Sequence, residues 1–474
     1  MTRLKRNIYF VAIGQVSQKL LAFVLIPFAA RGLGDSGFGR YSLASTLMFV
    51  VVLLNDWGMN TYVTREIARQ KDRFSHLFWN TLFLKVVLIL VDYAILMLYL
   101  EIAGYDAETN GAVLIFAGYG IISSIVQLSI AVFEAFERME FEAAVFTIEK
   151  VLITAAGLYV LKQGYGLMTF CAVFGFGGLV SLVLCFLMIR SAFPIRWQGL
   201  SAGVMKRILL RSLPFGFSLI FATIYNTTGV FILSLQETPR EVGWFSAGFK
   251  LVGITNLIPY VISAAIYPAL SNVIHRGESG RVRDLHIQGV KFLYFLALPM
   301  IAGGMMLSDK LIGFFFGQEF IPAVPVLRIM VWKGALVFFN LYFTGVLKAA
   351  NFQKQMVRLQ GAALVLNIGL NLVLISLYSY QGAAYTGVIT ESFIFITYLR
   401  IIQTRVCRIS ISDFWLKGLA ATGVLALFVY FLGSIHVTAL IGGGMLVYFA
   451  VLYAIKGFTF AEILPFTRPG GEAS

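Results

Sequence analysis

The sequence predicts an all-α integral membrane protein with about fourteen transmembrane helices, and three observations predict it. Of the 474 residues, 59% are hydrophobic and only 13% charged, an excess that no soluble domain balances with polar surface. Apolar runs of about 20 residues, the length that crosses the hydrocarbon core, recur along the whole chain. The basic residues concentrate in alternate gaps between those runs.

The runs place helices near 8–30, 41–60, 78–100, 111–133, 144–161, 166–189, 213–235, 243–270, 289–307, 326–347, 359–378, 383–399, 418–433 and 438–455. They are continuously apolar, whereas membrane strands alternate over about 10 residues, so helices and not barrel strands follow. Arg3, Lys5 and Arg6 precede the first run as in a signal peptide, but the run continues without a small-residue cleavage site and reads as a retained span. Fourteen spans leave about 13 residues for each loop. That excludes a soluble catalytic domain or a large extracytoplasmic loop. Cys171, Cys185 and Cys407 have neither disulfide nor metal-ligand spacing and read as buried small hydrophobes.

With a cytoplasmic N-terminus, the inside segments hold 25 Lys and Arg and the outside segments 5, namely Arg31, Arg40, Lys162, Arg240 and Lys310. This bias sets the orientation, with both termini cytoplasmic. It also accounts for most of the net charge of +14 without nucleic acid. Seven basic residues remain inside predicted spans: Lys19, Lys85, Lys150, Lys250, Lys291, Arg328 and Lys333.

Residues 36–47, SGFGRYSLASTL, and 240–251, REVGWFSAGFKL, align at an offset of 204, with Gly39 on Gly243 and Ser42 on Ser246. Six helices precede residue 213, and the same loop asymmetry restarts there. Two six-helix halves entered from the same side are parallel repeats, an arrangement whose substrate site lies between the halves near the midplane. The expected division is an N-terminal lobe at 1–212 with helices 1–6, a C-terminal lobe at 213–402 with helices 7–12, and two more helices with a cytoplasmic tail at 403–474.

LIPFAARGLGDSGFGRYSLA at 25–44, LLNDWGMNTYVTREIARQKD at 53–72 and LPFGFSLIFATIYNTTGVFIL at 213–233 resemble the Wzx-type polysaccharide-transport branch of the multidrug, oligosaccharidyl-lipid and polysaccharide exporter superfamily. VGWFSAGFKL at 242–251 and YPALSNVIHRGESGRVRDL at 267–285 are similar to its second-half signatures. The order and spacing of these segments, over about residues 1–400, carry the resemblance. It implies a V-shaped pair of pseudo-symmetric lobes around a polar, often cationic cavity. It also implies a flippase that moves polyprenyl-diphosphate-linked oligosaccharide to the outer leaflet by alternating access, for O-antigen, capsule or exopolysaccharide. The expected location is the cytoplasmic (inner) membrane of a prokaryote; the partners are the lipid-linked glycan and membrane lipids. The last two helices leave three roles open: binding the lipid tail, contacting a polysaccharide polymerase, or packing.

Such a substrate needs cations for its diphosphate and hydrogen-bonding groups for its sugars. Lys19 lies near the middle of the first helix with Gln15 one turn earlier on the same face. Lys250 and Lys333 lie seven to eight residues into their helices, and Asn340 returns to the face of Lys333. These, with Asn226 beside Thr227 and Thr228, are the candidate cavity residues. Asn367 and Asn371, four apart, read equally as sugar ligands or as a helix-to-helix pair. Lys85 and Asp92, seven apart, are charge partners or a coupling-ion carboxylate and its base. Glu391, mid-span, is a candidate for cation or proton coupling, or the partner of a cavity lysine. Asp56, Glu149 and Lys150, near helix ends, read as interface anchors, and Pro27, Pro214, Pro259 and Pro268 as points of helix bending. No GxxxxGK[ST] motif and no His and carboxylate cluster occurs, so neither a nucleotide, a metal nor another cofactor is expected, nor an enzyme. The four His read as solvated. A cation-coupled multidrug exporter of the same superfamily is the alternative; the excess of basic over acidic groups in the deep spans disfavours cationic drugs.

Overall fold

The computed structural model describes residues 3–193, 195–408 and 414–458, and the expected C-terminal tail from 459 lies outside them. Among the described residues every regular element is helical. The chain separates into two compact units, Met1–Gly243 and Trp244–Ser474.

The first unit contains α1 (Arg3–Asp56), α2 (Met59–Arg69), α3 (Phe74–Ala103), α4 (Ala107–Ala135), α5 (Met139–Lys162), α6 (Leu167–Ala192), α7 (Ala202–Gln236) and the start of α8 (Pro239–Thr255). α1 packs on α4 and α5, α4 also packs on α6, and α7 lies against α1, α2 and α3. α1 holds the first two expected spans, joined at Gly34, whose φ of 70° and ψ of 178° interrupt the helix. A side chain resists that backbone conformation and glycine does not. Pro27 and Pro214 sit inside α1 and α7.

The second unit continues with α9 (Leu257–His275), α10 (Ser279–Met306), α11 (Ser308–Phe315), α12 (Val324–Ala349), α13 (Gln353–Tyr378), α14 (Tyr380–Arg405), α15 (Phe414–Phe431) and α16 (Val437–Ala454). Its core lies around α12, which packs on α9, α10 and α14, while α15 covers α10 and pairs with α16. Leu293, Phe338, Tyr342, Phe343, Tyr398 and Tyr448 fill it.

Eleven stretches of the described residues are long and apolar enough to cross a membrane. The run Gly14–Asp56 takes up the first two expected helices, and ten further runs match the third to sixth and ninth to fourteenth. The seventh and eighth expected spans fall in α7, α8 and α9, which include side chains outside those described.

Four expectations need correction. The eighth span is two helices, α8 and α9, parted at Asn256, three residues before Pro259. A proline has no N–H for the bond to the residue four before it, and its ring crowds that carbonyl, so the helix yields there. The outside stretch at 308–325 is not a loop: α11 and a 3₁₀ segment, Gln318–Ala323, fold it. α7 starts eleven residues before its apolar run. α10 likewise starts ten residues early, which turns His286 onto a packed face: it is 0% exposed and not solvated. Its Nδ1 lies 3.0 Å from the Tyr342 hydroxyl, and the two rings stack.

Candidate functional site

The first unit encloses a buried ionic cycle. Lys85, 0% exposed on α3, donates through Nζ to Asp56 Oδ1 and to Ser124 Oγ of α4, both at 3.0 Å. Ser124 Oγ donates to Asn55 Oδ1, and Asn55 Nδ2 closes the cycle on the Lys85 carbonyl at 2.9 Å. Asp56 also accepts from the N–H groups of Gly58 and Asn60, at 3.1 and 3.2 Å, so its negative charge sits at the start of α2 where the helix dipole favours it. Asp56 is therefore the counter-ion of a mid-span lysine and not an interface anchor. Asp92, one face along α3 from Lys85, is buried, and its Oδ2 has no hydrogen-bond partner.

Glu149 is likewise no interface anchor. Buried on α5, it accepts from the Tyr119 hydroxyl of α4 at 2.6 Å and from Ser181 Oγ of α6 at 2.9 Å, with Lys150 Nζ at 3.9 Å. Three helices thus meet on one carboxylate. A charge in this position is stabilised by charge-assisted hydrogen bonds rather than by water.

The second unit gathers Lys333, Asn340 and Glu391. Asn340 Nδ2 donates to Glu391 Oε2 at 2.7 Å and to the Glu391 carbonyl at 3.0 Å, binding α12 to α14. Lys333 Nζ lies 4.8 Å from the centre of the Phe249 ring of α8, a cation–π contact. Gly387 of α14 makes room for the lysine stem, since a Cβ there would stand 3.0 Å from Lys333 Cδ. Asn371 donates to the Asn367 carbonyl and side chain at 2.9 and 3.0 Å, and Asn367 donates to Thr390 Oγ1 at 3.4 Å, so this pair joins α13 to α14.

Gln15, Lys19 and Asn226 are exposed on the first unit, and Lys250 is half-buried on α8 in the second. The structure therefore joins Asn340 to Glu391 across from the lysine stem that Gly387 accommodates, and pairs Lys85 with Asp56 rather than with Asp92. Asn55, Ser124, Phe249, Gly387 and Thr390 are participants that sequence reasoning did not assign, and Asp56 is one that it assigned to the interface. Each partner comes from another helix, and no periodicity signals such a contact. Among the described residues no group of three His, Cys, Asp or Glu could hold a metal ion.

The repeat-equivalent glycines meet. A Cβ on Gly39 would lie 2.9 Å from the Gly243 nitrogen and overlap the Pro239 carbonyl, so the helix after Gly34 and the start of α8 touch backbone to backbone. Arg240 Nε lies 3.6 Å from Asp35 Oδ1 beside this crossing. The equivalent Ser42 and Ser246 are each 1% exposed, with no hydrogen-bond partner for either hydroxyl.

Long apolar helices carrying buried, mutually compensated charges define a multi-span helical membrane protein of the transporter type. The chain belongs to the polysaccharide biosynthesis protein family, whose model matches residues 4–274; the MatE family model matches residues 214–373. A protein of Escherichia coli (strain K12) named for O-antigen transport is 25% identical over 408 residues, 82% of this chain and 94% of that protein. A protein of Haloferax volcanii, named as a flippase of low-salt glycan biosynthesis, is 24% identical over 372 residues, covering 77% and 76% of the two chains. Among solved structures, the lipid II flippase MurJ shares the fold with a TM-score of 0.79 at 16% identity, over 95% of this chain and 99% of that one. A MATE multidrug transporter, DinF-BH, follows with a TM-score of 0.59 at 16% identity, over 86% and 96%.

Proposed function

We propose that this protein is a flippase that carries polyprenyl-diphosphate-linked oligosaccharide from the cytoplasmic to the outer leaflet by alternating access, in the building of a surface polysaccharide. The observation that carries the reading is the contrast in exposure among charges within the spans. Lys85, Asp56 and Glu149 are buried, whereas Lys19, with Gln15 on its face, is exposed in the middle of an apolar helix. A lysine facing hydrocarbon there costs about 2.5–3.5 kcal/mol or more, so its face belongs to a water-filled passage. A passage lined by ammonium groups suits a diphosphate.

In this reading Lys19 and Lys250 hold the diphosphate, while Gln15, Asn226 and Lys333 line the path of the sugars. Asn340 serves Glu391, and the coupling role falls to Glu391 and Asp92, since Lys85 is engaged by Asp56. The lobes are 1–212 and 213–402, with 403–474 added. The protein acts as a transporter and not an enzyme, in the inner membrane of a prokaryote with both termini cytoplasmic. A polysaccharide polymerase completes the proposed partners, and the last two helices keep their three roles of lipid-tail binding, polymerase contact or packing. The names of the E. coli and H. volcanii relatives support the substrate class. The fold shared with DinF-BH favours a second reading, a cation-coupled multidrug exporter.

The test is native mass spectrometry of the purified protein, with surface glycan scored in cells. Retained polyprenyl-diphosphate glycan is expected, lost together with surface glycan in Lys19→Gln/Lys250→Gln at unchanged protein level. Normal surface glycan in that variant overturns the two assignments, and bound organic cations in place of lipid-linked glycan favour the exporter.

A further inference from the structure

The end of the first unit that the charge asymmetry assigns to the outside contains a cavity of about 350 Å³. It lies between the helix after Gly34, the turn from α3 to α4 and the turn from α7 to α8. Its polar lining is Arg40, Tyr105, Asp106, Thr109, Ser234 and Glu237. The volume is at the lower end of the range for ligand pockets, about 300–1,000 Å³, and holds one sugar ring with some of its water.

The walls of this cavity are built and held. Arg40 donates to Asp106 Oδ2 at 2.7 Å, to Ser36 Oγ at 2.8 Å and to Thr109 Oγ1 at 3.2 Å, and pairs with Glu108 Oε2 at 3.2 Å. Three of its five N–H donors are thereby used, and its charge is shared with two carboxylates. The Tyr105 hydroxyl bridges those of Ser234, at 2.8 Å, and Tyr99, at 2.6 Å, tying the α3–α4 turn to α7. The Tyr99 ring stacks on Phe231 behind them. Glu237 differs: among the described residues its carboxylate has no ion-pair or hydrogen-bond partner, and it lines the cavity half-exposed.

This electrostatic arrangement selects the ligand. Arg40 is neutralised by Asp106 and Glu108, which leaves the Glu237 carboxylate as the uncompensated charge and turns away phosphate and other anions. A multivalent cation lacks ligands, since no metal-holding group of three exists among the described residues. An organic cation would want an aromatic cage, and Tyr105 is the single ring in the lining. What remains complementary is a hydroxyl-rich neutral molecule: its O–H groups donate to Glu237 and Asp106, and its apolar ring face rests on Tyr105.

We propose that this cavity is a carbohydrate subsite that takes one neutral sugar ring of the glycan as it emerges, separate from the ammonium groups assigned to the diphosphate. The subsite rests on the flippase reading, and its assay uses free sugar while that reading is scored with lipid-linked glycan. The two can therefore fail independently.

The experiment is saturation-transfer-difference NMR on the purified full chain in nanodiscs, with glucose, galactose, rhamnose and N-acetylglucosamine as probes. Two variants accompany the wild type: Glu237→Trp, which fills the cavity from its rim, and Glu237→Gln, which removes the charge and keeps the size. At least one of the sugars is expected to receive saturation. The dissociation constant should weaken about tenfold in Glu237→Gln, the loss of one charge-assisted hydrogen bond. Specific transfer should vanish in Glu237→Trp, with the melting temperature unchanged. No transfer to any of the sugars, or transfer that Glu237→Trp leaves intact, overturns the subsite. So does tetraphenylphosphonium binding that Glu237→Trp abolishes while the sugars show none.

Discussion

Replacing Lys85 by Met tests whether the buried cycle of the first unit is structural. At a separation of 3.0 Å the attraction between Lys85 and Asp56 is about 5–6 kcal/mol for an effective dielectric constant of about 20. Desolvation of both groups offsets much of it, so the pair adds little beyond an apolar substitute. Removing one partner is different. Asp56 stays almost buried, with 11% of its side chain exposed, and loses its cation, while Ser124 loses a donor. Such a break costs about 3–5 kcal/mol, which corresponds to a fall of roughly 6–20 °C in Tm for a unit of this size. Lys85→Met/Asp56→Asn should recover much of the loss, because no unpaired charge stays buried and the asparagine side-chain oxygen still accepts from one of the two N–H groups, Gly58 or Asn60, that Asp56 holds. The assay is thermal unfolding of the detergent-solubilised protein, followed by size-exclusion chromatography. A single variant within about 2 °C of wild type, or a double variant no more stable than the single one, would refute the structural assignment.

Gly39→Val should abolish surface glycan while leaving helix content by circular dichroism unchanged, since the new side chain overlaps the Pro239 carbonyl and forces apart the two helix starts; wild-type glycan levels would show that the crossing tolerates separation. Glu391→Gln keeps the acceptor oxygen for Asn340, so protein level and bound lipid-linked glycan should persist while transport loses its dependence on an imposed ion gradient; a gradient response equal to wild type would remove Glu391 from coupling. Partial burial raises the Asp106 carboxyl, but hydrogen bonds from Arg40 and Thr109 and the Arg40 charge outweigh it and hold the group below the usual carboxylate range. Its contribution is therefore present above the unfolded value near pH 4 and lost as pH falls through the folded one, and with the carboxylate nearly half exposed it stays below about 1 kcal/mol. The Tm gap between wild type and Asp106→Asn should be visible at neutral pH, shrink with salt and close below about pH 4; a gap that widens in acid contradicts the assignment.

Much of the fold was legible because the bilayer is a demanding solvent. A helix in hydrocarbon must satisfy its own backbone and show apolar side chains, so each span writes itself as a run of about 20 residues. Helix ends were less legible. α7 and α10 begin in polar sequence, because once a helix exists, adding residues to its start costs little. The break at Asn256 needed the backbone rather than the apolar pattern, which continues across it. His286 shows the consequence: read as a loop residue it is solvated, and read on a helix that begins at Ser279 it lies against Tyr342.

By itself the sequence determined the class: a multi-span helical protein, its family through ordered motifs, and a short roster of charges that had to be compensated within the spans. Which charge compensates which was decided by tertiary structure alone. Lys85 takes Asp56 and not Asp92, Glu149 takes Tyr119 and Ser181, and Glu391 takes Asn340. The physical reason is that each pairing joins different helices. Helical periodicity shows which residues of one helix share a face, but the partner across the interface depends on how the helices cross, and that is a property of the packed chain.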